Sequence, residues 1–326
     1  MSQRQAVRFD RFGGPDVLEI VDAPSVDPGP GQVKVAHRAI GLNMVDTYYR
    51  SGLYPLDLPS GLGSEAAGVV VEVGAGVADL KPGDRVAYAA PPPLDAYATE
   101  RVIAAKWLVR LPDDVGFETA AAIMLKGLTS WYLLRRSYPV AAGDWVLIHA
   151  AAGGVGLIAS QWAKALDARV IGVVGSEAKR AAALASGCDE VVVGTADLVE
   201  RVRALTAGAG VPVVYDSIGR DTFMKSLDCL RKHGVMVSFG NASGPVEPFS
   251  PLELLKRGSL YVTRPTLFDF IGERASLEQG ARELFALVAE GTIAVSVNQR
   301  YGLRDVAEAH RALEGRRTTG SSVLLP

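Results

Sequence analysis

The sequence predicts an α/β chain in which a doubly wound parallel sheet is joined to a β-rich, barrel-like domain. Three observations carry this expectation. Eleven of the 18 prolines lie in the first 125 residues, where short apolar runs at 32–38, 66–73 and 85–89 are separated by DPGPGQ, LKPGDR and APPPLD. That punctuation belongs to short strands rather than βαβ units. After about Phe117 helical patterns alternate with short apolar strands, as a parallel sheet with crossover helices requires. Finally, the small-residue loop HAAAGGVG at 149–156 lies between an apolar run and an amphipathic one.

Along the second half, WVLIHA reads as a strand, followed by a helix with Ile158, Trp162 and Leu166 on one face. ARVIGVV is the next strand and 177–186 the next helix; VPVVYDSIG, a helix through Leu230, and GVMVSFG continue the alternation. GSLYVTRPTL at 258–267 reads as a late strand of the same sheet, and an exposed strand edge there invites pairing into a homodimer. From about Leu277 comes a helix, and NQRYGLRDVAEAHRALEG returns the chain to the first domain. The expected division is 1–125, completed by about 268–326, and 126–267, in keeping with 326 residues and about 150 residues per domain.

Composition narrows the function classes. Apolar residues make up 48%, charged residues 21%, and the net charge is −2 with both signs interspersed. No basic stripe marks a nucleic-acid partner. The N-terminal MSQRQAVRFDRF is charged and has no apolar core, unlike a secretory signal. Residues 146–163 carry no formal charge but include three glycines, and these 18 residues fall short of the roughly 20 apolar residues of a membrane span. Cys188 and Cys229 stand in unlike contexts, which fits a reducing cytoplasm and no disulfide framework.

In the dinucleotide fingerprint G-x-G-x-x-G the first glycine turns the chain, the second admits the pyrophosphate and the third lets helix pack on strand. Here the template falls on Ala151, Gly153 and Gly156, with Gly154 and Val155 between, so alanine replaces the first glycine. A plain tight turn uses similar residues. The preceding strand and following helix favour a Rossmann phosphate loop, whose backbone N–H groups at the helix N-terminus face the pyrophosphate. At the end of the second strand stand Gly175 and Ser176 rather than a carboxylate. Lys179, one turn on, can meet a 2′-phosphate with Ser176 donating a hydrogen bond, which points to NADPH. Lys179 and Arg180 equally suit a solvated helix face, and a slight register change puts Glu177 on the ribose of NADH.

HAAAGGVGLIASQWAKAL, VGSEAK, VVYDSIGRDT, SLDCL, VSFGNASG and GSLYVTRPTL resemble the zinc-free NADPH:quinone oxidoreductases of the medium-chain dehydrogenase/reductase superfamily. FGGPDVLEI, AIGLNMVDTYYRSGLYP, LPSGLGSEAAGVVVEVGAGV and GSSVLLP match the same family, so the resemblance spans the chain. It implies a GroES-like catalytic domain split around the Rossmann domain, with the active site in the cleft between them. It also implies cofactor contacts from Thr47, from Lys126, Thr129 and Tyr132 in LKGLTSWY, from Ser217–Ile218, from Phe239–Gly240–Asn241, and from Arg264 and Arg316. Two departures bear on the 2′-phosphate. Val193–Gly194 stand where relatives often have an NY tyrosine, and Gly320–Ser321 where some have Gly-Lys.

The zinc-dependent branch of that superfamily takes its catalytic metal on a cysteine and a histidine; here Asn43 and Ser64 occupy those places. The structural four-cysteine lobe is missing as well, and His37, His149, His233 and His310 are scattered, so no metal is expected. Metal-free hydride transfer to a quinone rests on positioning and on polar groups that meet the developing oxyanion. Within NMVDTYYRSG the catalytic candidates are Asn43, for the nicotinamide ribose or the acceptor oxygen, Tyr48 as donor to the reduced acceptor, and Asp46 to orient either. Capping a turn, satisfying backbone and lining a wall are the plainer roles open to Asn43, Asp46 and Tyr48. None of the three titrates near neutrality unless perturbed. The expected activity is NADPH-dependent quinone reduction. The alternatives are an alkene or enone reductase on the same fold, and a non-enzymatic crystallin-like or RNA-binding relative.

Overall fold

The computed structural model describes residues 3–326. They form two compact units, one of residues 3–128, 271–289 and 295–326, the other of residues 129–270 and 290–294. The Pro- and Gly-punctuated start of the chain gives β1 (Gln3–Arg8), β2 (Glu19–Pro24), β3 (Gln32–Leu42), α1 (Met44–Ser51), β4 (Glu65–Val73), β5 (Arg85–Ala89), β6 (Glu100–Ala104) and β7 (Val109–Arg110). Helix α2 (Phe117–Tyr132) leads from the first unit into the second.

The second unit alternates β8 (Trp145–His149), α3 (Gly154–Ala165), β9 (Arg169–Val174), α4 (Arg180–Ala185), β10 (Glu190–Val193), α5 (Leu198–Leu205), β11 (Val211–Asp216), α6 (Phe223–Cys229) and β12 (Leu230–Ser238). It ends in α7 (Leu252–Lys256), β13 (Tyr261–Thr263) and α8 (Leu267–Ile271). Its six strands run in the order β10-β9-β8-β11-β12-β13 and every pairing is parallel. Counted from β8, this is the 3-2-1-4-5-6 order of a Rossmann sheet. Because helices cover both faces of such a sheet, its strands read as continuous apolar runs, VLI, VIGVV and VVV, without polar alternation. Leu147, Ile171, Val214, Leu227 and Met236 pack the core.

The remaining segments, α9 (Arg274–Ala289), β14 (Val297–Gly302), α10 (Val306–Glu314) and β15 (Ser321–Leu325), complete the first unit. Its main sheet has the order β14-β15-β3-β4-β5-β7, with β6 also on β3. All of these pairings are antiparallel except β14 with β15. Val33, Val35, Ile40, Leu42, Tyr88, Leu108 and Leu324 form the centre of a separate core.

Three boundaries differ from the sequence expectation. The helix read over 177–186 opens as a single 3-10 turn, Glu177–Lys179, and α4 proper begins only at Arg180. The helix read through Leu230 stops at Cys229, and Leu230 already starts β12. In the stretch 258–267 only three residues pair, because Gly258 sits at φ 98° on one side and Pro265 holds the other out of the ladder.

The approach of α3 to β8 depends on Gly156. A Cβ there would lie 2.3 Å from the Ala150 carbonyl oxygen and 2.7 Å from the Ala151 Cα, both backbone atoms that cannot step aside. Gly156→Ala should therefore cost about 1–3 kcal/mol by overpacking. Urea denaturation monitored by circular dichroism should show this as a lowered midpoint.

Candidate functional site

In the second unit the strand order reverses between β8 and β11, and ligands of open α/β sheets collect outside the carboxyl ends of strands at that point. The loop after β8 is held by Ala151 N–H donating to Val173 O (3.0 Å) and Gly153 N–H donating to Ala150 O (2.8 Å). Alanine does take the place of the first fingerprint glycine, and the tight turn is made one residue earlier, where Ala150 has a left-handed φ of 51°. Gly153 is the N-cap of α3 with extended backbone, and Gly153, Gly154 and Val155 are only half-buried. The first-turn N–H groups of a helix have no intrahelical acceptors, so this loop presents donors and a positive dipole end. The cradle fits the pyrophosphate of a dinucleotide.

Gly175 and Ser176 are exposed at the end of β9, and the space beside Gly175 is open. Ser176 caps the 3-10 turn that carries the half-buried Lys179. Glu177 is drawn to Arg180, whose Nε donates to its Oε1 at 2.5 Å. Arg180 in turn donates through Nη1 to Val191 O.

The loops after β11 and β12 are built around one buried carboxylate. Asp216 accepts from Ile218 N–H, Gly219 N–H, Thr222 Oγ1 and Ser226 Oγ at 2.7–3.2 Å. Ser226 has spent its only proton on Asp216, so it accepts from His149 Nε2–H at 2.9 Å, which fixes the tautomer of that buried ring. Ser217 and Gly240 touch closely, since a Cβ on Gly240 would meet Ser217 O at 2.5 Å. Phe239 N–H donates to Asp216 O. Arg264 Nη1 donates to Ser238 O, and with its carboxamide turned to suit both neighbours Asn241 accepts from Arg264 Nη2 (3.2 Å) and donates to Gly240 O. Six candidate residues, Ser217, Ile218, Phe239, Gly240, Asn241 and Arg264, thus share one cluster at the strand ends. Thr129 and Tyr132 lie on the last turns of α2, both buried, with the Tyr132 ring stacked on Phe270 at 4.6 Å.

In the first unit the candidates gather at the N-terminus of α1. Asn43 is its N-cap, and Asn43 N–H donates to Asp46 Oδ2 (2.9 Å), one half of a capping box. The Asn43 carboxamide donates through Nδ2 to Glu65 Oε2 at 2.7 Å. Glu65 accepts also from Leu125 N–H (2.6 Å) and from Lys126 Nζ (3.5 Å), which donates as well to Leu42 O. Thr47 turns its hydroxyl back to Met44 O, and Tyr48 packs edge-on against Tyr54. Arg316 lies past the end of α10, exposed, at a φ of 56°.

Burial governs the charges here. Asp46 has no exposed surface, and desolvation pushes its carboxyl up to about 7 against the opposing hydrogen bonds from Tyr97 and Asn43 N–H. Its Oδ1 meets no donor among the described residues. Burial likewise raises Glu65, opposed first by the charge of Lys126. The sequence offered Asp46 without this perturbation, and it gave Glu65, Tyr97 and Asp216 no site role. The one local sign of Glu65 was its place beside Ser64 in the GSE stretch; Tyr97 and Asp216 are ordinary residues of a loop and a strand end.

Asn43 is committed to a helix cap and to Glu65, Ser64 is fully buried, and among the described residues no group of three or more His, Cys, Asp or Glu side chains is placed to hold a metal ion. The donor set does not fit zinc.

The zinc-binding dehydrogenase family model matches residues 154–286 and the alcohol dehydrogenase GroES-like domain model matches 29–113. A quinone oxidoreductase of Pseudomonas aeruginosa is 53% identical over 98% of this chain and 99% of that protein. A 2-haloacrylate reductase of a Burkholderia species is 46% identical over 98% of each. The crystal structure of Escherichia coli quinone oxidoreductase complexed with NADPH superposes with a TM-score of 0.96 at 50% identity, over 99% of this chain and all of that one. The chain belongs to the quinone oxidoreductase family of the medium-chain dehydrogenase/reductase superfamily.

Proposed function

We propose that the protein reduces quinones with NADPH, without a metal, as a cytoplasmic homodimer. The observation that carries the activity is full-length identity of about half to quinone oxidoreductases, joined to a Rossmann sheet whose switch point bears an open glycine cradle. The cradle of Gly153, Gly154, Val155 and Gly156 holds the pyrophosphate. Ser217, Ile218, Phe239, Gly240, Asn241 and Arg264 line the strand ends beside it, with Thr129, Tyr132 and Arg316 as further contacts. NADPH supplies the hydride. Ser176 and Lys179 meet the 2′-phosphate beside Gly175, while the engagement of Glu177 with Arg180 keeps that carboxylate from an NADH ribose.

Asn43 and Thr47 orient the nicotinamide ribose. With Nδ2 of Asn43 facing Glu65 and its oxygen turned to the Asp46 N–H as a helix cap, the second lone pair of that oxygen is the acceptor for a hydroxyl, and Lys126 fixes Glu65 in place. Tyr48 donates to the reduced acceptor. Protonated Asp46 sets no negative charge beside the oxyanion that forms there, whereas ionised Asp46 opposes it.

A second reading, reduction of an activated C=C bond, is favoured by the similarity to the 2-haloacrylate reductase. No helix among the described residues is long and apolar enough to cross a membrane. For the dimer, β13 ends the sheet, and Tyr261 on it and Leu252 and Leu255 on the adjoining α7 are more than half exposed, an apolar edge suited to a second copy.

NADPH and NADH oxidation with 1,4-benzoquinone and with a simple enone tests the activity; enone turnover alone would transfer the assignment to C=C reduction. Lys179→Ala should raise KM for NADPH by about tenfold, the loss of one charge-assisted hydrogen bond, and leave NADH kinetics unchanged. The pH profile of kcat/KM for the quinone should fall as pH rises through about 7. Asp46→Asn, neutral at every pH as protonated Asp46 is, should flatten that limb and keep the rate within a few-fold of the parent's low-pH plateau. Sedimentation should show a dimer for the parent protein and a monomer for Leu255→Glu.

A further inference from the structure

Asp46 is the last member of a buried chain of side chains that reaches the surface of the first unit. Tyr97, in the loop between β5 and β6, places its hydroxyl 2.8 Å from Asp46 Oδ2 and 3.2 Å from His310 Nε2 on α10. The other ring nitrogen, His310 Nδ1, lies 2.8 Å from Arg50 Nη1 on the last turn of α1. Arg50 Nη2 donates to Glu314 Oε1 at 2.6 Å and Arg50 Nε to Gly13 O at 3.0 Å. Asp46, Tyr97, His310 and Arg50 are all buried, while Glu314 at the end is partly exposed.

The direction of every bond follows from donor counts. A guanidinium has only donors, so His310 Nδ1 accepts and the ring proton sits on Nε2. That N–H donates to the Tyr97 oxygen, and the single Tyr97 proton is then left for Asp46. Burial and the neighbouring Arg50 charge lower His310 to about 3, so the ring stays neutral and the arrangement has no competing protonated form near neutrality. The chain does not deliver protons, because guanidinium keeps its own across the accessible pH range. It polarises instead, each dipole ending on Asp46.

We propose that Arg50, His310 and Tyr97 are positioning residues that act through Asp46, fixing its carboxylate against the N-cap of α1 and favouring its ionised form. The proposal rests on the reading above in assigning Asp46 a part in turnover, but its core is a statement about Asp46 alone. The groups that bear on Asp46 are Tyr97 and Asn43 N–H by hydrogen bond, Lys126 and Glu65 by charge, and Arg50 and His310 through Tyr97. A hydroxyl that donates to a carboxylate stabilises the charged form, so its removal raises the pKa.

The test is a carboxyl titration by NMR of aspartate-labelled protein, with the Asp46 signal identified by its loss in Asp46→Asn. Tyr97→Phe, which deletes one oxygen, should move that titration up by about one unit. His310→Leu should move it the same way by less, and His310→Gln, whose amide can still donate to Tyr97, should bring it back toward the parent value. An unmoved Asp46 titration in folded Tyr97→Phe overturns the proposal, and this variant decides alone if His310→Leu does not fold. Quinone turnover separates the two claims. An alkaline limb that moves with the Asp46 titration supports both, while a moved titration with an unmoved limb supports the chain and removes Asp46 from turnover.

Discussion

Carboxylates taken out of water must be given donors or a proton, and three of them organise the candidate residues, Asp46 and Glu65 within the first unit and Asp216 within the second, none with any exposed surface. The cost of burying an ion is several kcal/mol even after relaxation. Each carboxylate therefore draws its surroundings into a fixed arrangement. Asp216 gathers two backbone N–H groups and two hydroxyls, and in doing so sets the course of the chain from Ser217 to Thr222. Glu65 gathers a backbone N–H, a carboxamide and an ammonium, tying β4 to α2 and to the cap of α1. The position of Asn43 is a consequence of where these charges had to be satisfied.

Room for that arrangement comes from the backbone as much as from the side chains. A Cβ on Gly41 would lie 2.1 Å from Glu65 Oε2 and 2.3 Å from Ala121 O, so β3 can pass this carboxylate only without a side chain. In the Rossmann unit Gly156 plays the corresponding part between α3 and β8. The two units are organised by different means: one presents backbone dipoles at a helix terminus, the other a buried lattice of side chains around a helix cap.

This difference explains what was legible in the sequence. The strand, loop and helix from Trp145 to Ala165 were readable because neighbouring residues make them: an apolar run, a glycine cluster and a stripe with a helical period. The parallel sheet followed for the same reason, and the glycine loop could be placed to the residue, although Ala150 rather than residue 151 takes the left-handed turn. The short β13 and the 3-10 start at Glu177 were not readable, since pairing and the loss of pairing are decided by neighbours remote in sequence. At α1, Asn43, Asp46 and Tyr48 could be singled out as polar groups in one motif, but their partners could not. Tyr97 is 51 residues from Asp46, and His310 is 260 residues from Arg50. A lone histidine on α10 reads as a satisfied polar residue. It is one, and only the fold reveals what satisfies it.

The three carboxylates also differ in how their two oxygens are supplied. Asp216 and Glu65 have donors on both oxygens. Asp46 has two donors on Oδ2 and none on Oδ1 among the described residues, and no cation hydrogen-bonds it directly. A buried carboxyl so supplied is nearly balanced between its charged and neutral forms, and one donor added or removed changes which prevails. Donor count thus joins burial in holding the Asp46 carboxyl up at about 7, where it changes state around neutral pH. The same count explains why the neighbouring Tyr97, with a single proton to give, holds the balance.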